Sequence, residues 1–162
     1  MLATINLETL SLFLHISAAV VGLGATFALS VGFPLALKLA EPRYLPYVHH
    51  LSRTVLQRLA SPALVVILAT GIFQVAHSNA FAMSDAWIGP VFLIVIVLGG
   101  LQGAYFIPTD RKLAAMAEKE LAGGATTLSA DYTKQANREG GIGALAGFLI
   151  LLAIFLMVTK PG

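Results

Sequence analysis

The chain has 162 residues, 57% of them hydrophobic and only 11% charged, with a formal net charge of +2 and no cysteine. Ordinary soluble domains are about a quarter charged, so the composition excludes a conventional soluble fold. The lack of thiols excludes disulfides, thiolate metal sites and iron–sulfur clusters ligated by the chain itself.

About 20 mostly apolar residues cross roughly 30 Å of hydrocarbon as a helix. Four uncharged runs reach that length: Glu8 to Lys38, Arg58 to Asp85, Asp85 to Asp110, and Glu139 to Lys160. They are continuous rather than alternating, which predicts helices rather than the strands of a closed barrel, the other way to satisfy a backbone in lipid. The expected fold class is all-α: one integral membrane domain over residues 1–162, a four-transmembrane-helix bundle with spans near 9–37, 59–76, 87–108 and 141–159. The first run has no positive leading region and is too long for a signal peptide, so it is expected to remain in the mature chain.

The first span carries a single ionisable side chain, His15. An intramembrane ionisable residue is a functional-site hypothesis, because something must offset its burial in hydrocarbon. At helical spacing it is followed by Ala18, Ala19, Gly22 and Thr26, a stripe of small side chains along which a flat ring could lie. Haem iron takes an imidazole ligand, and Ser11, one turn earlier, is placed to orient the imidazole through its other nitrogen. Two other readings stand beside this one: a neutral histidine bonded across the bundle, and a step on a proton or ion path.

After the first span come Lys38, Arg43, Arg53 and Arg58, and after the third Arg111, Lys112, Lys119, Lys134 and Arg138; the connection from His77 to Trp87 has no Lys or Arg. Basic loops stay in the cytoplasm, so both termini are expected outside, with the chain multi-pass in a bacterial inner membrane. The high isoelectric point then reflects topology, and no nucleic-acid partner is expected. Val48, Leu51, Val55 and Leu59 form an apolar stripe opposite His49, His50, Arg53 and Gln57, which predicts a short interfacial cytoplasmic helix on anionic lipid. His49, His50 and Arg53 are also candidates to hold a second anionic cofactor group. Residues 111–121 predict another such helix, stopped by Gly123-Gly124, and Ser129 a helix N-cap leading through Tyr132 to Gly140-Gly141.

Pairs of small residues four apart, Ala18/Gly22, Gly99/Gly103 and Gly143/Gly147, predict close helix packing. They also suit a homo-oligomer or a larger membrane complex. Gln74 and Gln102 need hydrogen-bond partners inside the bundle. His15, His77, Met83 and Met157 all fall toward the outer side, where they suit either an axial haem pair or copper handling. Lys160 is placed to meet a haem propionate or to reach into the headgroups. No nucleophile–base pair, phosphate-binding glycine loop or zinc-protease motif occurs, and no carboxylate lies within a span.

The segments LFLHISAAVVGLGATF, LSRTVLQRLASPALVVILATGIFQV, IPTDRKLAAMAEKELAGG, DYTKQANREGG and FLMVTKPG resemble the family of predicted four-helix integral membrane proteins of unknown function. The first-helix histidine and Thr70-Gly71 are distantly similar to the group containing the copper-resistance D proteins and the HemJ-type membrane protoporphyrinogen oxidase. That similarity implies His15 as a haem b ligand and matches no second one. The leading expectation is a membrane b-type haem protein for one-electron transfer. The alternatives are a cofactor-free accessory subunit and outer-face copper handling.

Overall fold

The structure is a computed structural model that describes residues 6–77 and 82–161. Among these residues four helices are long and apolar enough to cross a membrane: α1 (Leu7–Leu39), α2 (Pro42–His77), α3 (Ile88–Ala122) and α4 (Ala130–Thr159). No strand occurs among them. Local chemistry sets the ends. The Asn6 side chain accepts from the Thr9 amide at 2.8 Å to open α1, and Ser129 accepts from the Tyr132 amide at 3.2 Å to open α4. Gly124, at φ +85°, turns the chain out of α3, a backbone state that glycine adopts without steric cost.

The shortest of the four helices has 30 residues, about 45 Å at 1.5 Å per residue, so all outrun the hydrocarbon. The excess lies at the basic end, where the start of α2, the end of α3 and the start of α4 pack together. Leu45, Leu113, Ala117, Tyr132 and Ala136 form a second core there, apart from the main cluster between the spans. The short cytoplasmic helices expected from the sequence are thus continuous with the spans. A continuous helix keeps its backbone bonds within itself, whereas a break at the boundary would leave groups to satisfy.

The first part of α2 departs from the expected foot chiefly at His49, which is buried rather than on the polar surface. Leu45, His49, Ser52, Leu56 and Ala60 are buried, while Leu51 and Leu59 are exposed. His49 points in, where the neighbouring helices offer it partners, while His50 and Gln57 are exposed with Leu51 and Leu59.

Small residues set the helix spacing. A Cβ on Gly22 would lie 2.5 Å from the Cβ of Ala63 on α2, and one on Gly147 would collide with Ser30 of α1. Nothing lies within 4 Å of such an atom on Gly99 or Gly103, so that pair packs no helix within the chain. Three helices contain a widened π turn, at Ala19–Leu23, Leu56–Ala60 and Leu101–Phe106. Such turns insert an extra residue and occur often at functional sites. Around them Gln102 donates to Thr26 Oγ1 at 2.9 Å and accepts from Ser61 Oγ at 3.2 Å. This ties α1, α2 and α3 together and gives Gln102 the partners it needs.

Candidate functional site

Two histidines anchor two different environments at opposite ends of the bundle. His15 on α1 is half-buried and faces α2. Its Nδ1 lies 2.9 Å from Thr70 Oγ1. The Thr70 hydroxyl donates to the Val66 carbonyl at 2.6 Å, so it accepts from the ring. The hydrogen-bond pattern therefore assigns the ring proton to Nδ1 and the lone pair to Nε2.

His15 lines a cavity of about 440 Å³ between the four helices at the end that carries both termini. The walls are mostly apolar, from residues such as Leu12, Ile67, Val91 and Val95, with Gln74, Trp87 and Lys160 as the polar exceptions. This volume falls within the roughly 300–1,000 Å³ of small-molecule and cofactor sites. Two features mark its wall. A Cβ on Gly71 would sit 3.5 Å from His15 Cε1 and 3.8 Å from Phe92 Cζ, filling space beside the ring. The Gln74 side-chain nitrogen is buried with no hydrogen-bond partner, a donor left over on an apolar wall.

The predicted site residues divide. Ala19, Met157 and Lys160 share this cavity with His15. Ala18 belongs to the main apolar core. Gly22 is closed by Ala63, and Thr26 bonds the Gly22 carbonyl and Gln102. The stripe of small residues below Ala19 is therefore taken by helix packing, and the room for a ligand lies between helices near the termini. Ser11 is not the residue that orients the ring. Its Oγ is buried without a hydrogen bond, and Thr70, across the helix interface, makes that contact instead. His77 and Met83 do not line the cavity. His77 donates from Nδ1 to its own helix at Phe73 O, 3.0 Å away, and stacks on the Phe73 ring. Met83 is exposed. The four-residue outer His/Met cluster is thus not assembled.

At the basic end His49 is fully buried. Nδ1 donates to Asp110 Oδ1 at 2.8 Å, Nε2 accepts from Tyr132 Oη at 2.8 Å, and Glu139 Oε2 lies 3.8 Å from Nδ1. Phe33 meets the ring edge-on at 5.2 Å. His49 therefore does not join His50 and Arg53 on a lipid-facing basic surface, since its partners come from α3 and α4. Asp110 and Glu139, which bound two of the uncharged runs, are buried rather than solvated: 1% and 2% exposed. His50 instead points outward and pairs with Glu118 at 2.9 Å, both about half exposed.

Thr70, Gly71, Asp110, Tyr132 and Glu139 are the residues of these two environments to which reading the residues gave no role. A hydroxyl next to a glycine within an apolar helix was the available signal for the first two. For the rest, Tyr132, Ala136 and Glu139 recur at helical spacing, which puts an aromatic hydroxyl and a carboxylate on one face of α4. No curated protein and no solved structure matches the chain. The model of one family, described as predicted integral membrane protein (DUF2269), matches residues 9–161. That is nearly the whole length, so the chain belongs to this family of predicted integral membrane proteins.

Proposed function

We propose that the His15 cavity binds haem b with His15 as an axial ligand, and that the chain serves one-electron transfer or redox partnering within the membrane. The observation that carries this reading is the Thr70 contact. It holds the proton on Nδ1 and leaves Nε2 as the ligating nitrogen of a side chain that lines a 440 Å³, mostly apolar cavity. Metal-ligating histidines characteristically hold their other nitrogen in such a bond. Met157 on the same lining supplies a thioether, a known partner of histidine at haem iron, and Lys160 brings a positive charge suited to a propionate. Bound haem supplies reversible one-electron chemistry, tuned by its axial ligands and the polarity around it. The chain's own part is to orient the imidazole, exclude water with apolar walls, and balance charge at the mouth. By the distribution of Lys and Arg, this cavity opens toward the outer side of a bacterial inner membrane.

Full-length protein purified in detergent should show a Soret band and, on reduction, an α band, with both lost or shifted in His15→Ala. A colourless preparation whose pyridine-haemochrome assay matches the blank would refute the proposal, and so would a His15→Ala spectrum identical to wild type. Colourless protein isolated with a stoichiometric partner would favour the accessory-subunit reading instead.

A further inference from the structure

We infer that His49, Asp110 and Glu139 form a binding site for one divalent transition-metal ion at the basic end of the bundle, independent of the His15 cavity. Each residue offers one ligand atom, and these atoms lie within 4.8 Å of one another. They come from three different helices, α2, α3 and α4, whose extensions beyond the spans pack together to make the second core.

The arrangement is incomplete as a hydrogen-bond network. Asp110 Oδ2 and Glu139 Oε2 are buried and make no hydrogen bond. No lysine or arginine pairs with either carboxylate among the described residues, so one imidazole faces two acids. Buried polar groups in native proteins are nearly always satisfied. With both acids ionised, the site carries more negative charge than a single histidine balances, and a dication would balance it. The donor set of one imidazole and two carboxylates suits zinc, manganese or ferrous iron rather than magnesium or calcium, which favour oxygen alone.

Tyr132 supports the same conclusion. With a cation on Nδ1, the ring keeps its one proton on Nε2 and donates it to Tyr132 Oη, 2.8 Å away. That contact then holds the ligating ring in orientation. Glu139 also borders a cavity of about 30 Å³ that Ser30 and Ser52 help to line. This is room for a water molecule beside the Glu139 carboxylate.

The test is zinc binding to tag-free, chelator-treated, full-length protein in detergent, read by equilibrium dialysis and elemental analysis, with cobalt absorption as the spectroscopic probe. We expect one zinc per chain and ligand-field bands with cobalt. In Glu139→Gln and Asp110→Asn the affinity should fall by at least about tenfold, the lower end of what even outer-shell changes cost. His15→Ala should bind zinc as wild type does, so failure of the haem proposal and failure of this one remain distinguishable. Zinc at the level of the buffer blank in folded wild type would overturn the proposal in favour of a shared proton. Unchanged affinity in both carboxylate variants would overturn it as well.

Discussion

His15 and His49 are both inward-facing histidines of a helical membrane bundle, yet their surroundings differ in kind. One nitrogen of His15 is held by Thr70 and the ring borders open apolar volume. His49 has both nitrogens engaged, no exposed surface, and two carboxylates and a tyrosine for company. Spare coordination beside empty space suits a large, removable ligand. Dense polar contact without space suits a proton or a bare ion, and it makes the residue structural as well. Within a membrane protein, then, the residue type alone does not tell how a histidine is used; the volume next to it does.

That contrast can be broken by substitution. The largest effect on stability is expected for His49→Leu, which leaves Asp110 buried without its partner. Leaving a buried group without its hydrogen-bond partner costs about 1–3 kcal/mol, more for a charged one, read as a lowered unfolding midpoint in detergent, whereas His15→Ala should leave the midpoint of the ligand-free protein close to wild type. Equal losses in the two variants would erase the distinction. Next comes Thr70→Val, which preserves shape and removes the oxygen that orients His15. Haem affinity should fall by about 10–100-fold, as for other lost outer-shell partners, with the fold intact by circular dichroism; unchanged affinity would show that ring orientation is set by packing. The smallest effect belongs to His50→Ala, one residue from His49. Its pair with Glu118 is about half exposed at both ends, and such pairs contribute about 0.2–1 kcal/mol. A loss as large as that of His49→Leu would mean that the outward face of α2 is covered by something.

The four spans were legible because the bilayer fixes their length and forbids charges along it, constraints written in consecutive residues. The facing of the first part of α2 was not. Val48, Leu51, Val55 and Leu59 look like the lipid side of an interfacial helix, with His49, His50, Arg53 and Gln57 as its polar side. Leu51 and Leu59 of that stripe are exposed, but His49 is taken inside with Ser52 and Ala60, because polar and small groups gain there from bonding and close approach. His15 was legible as an isolated ionisable group in an apolar run. Its orienting partner was not, since Thr70 is 55 positions away and Ser11 offered an equally good hydroxyl nearby. Asp110 and Glu139 were read as the limits of spans, a role charges ordinarily play. Their meeting at His49 depends on three helices continuing past the spans, which no local pattern records.

The π turn at Leu56–Ala60 sits between the two centres on a single rod, because α2 carries His49 below it and Thr70 and Gly71 above. An ordinary helix advances about 100° per residue, so the one additional residue in that loop of backbone sets the angular phase between the halves. Excising it would restore perfect α geometry while swinging one half by about that angle, and either the imidazole at 49 or the hydroxyl at 70 would look out at lipid. The irregular stretch is thus the gear tooth that lets one continuous element serve both ends.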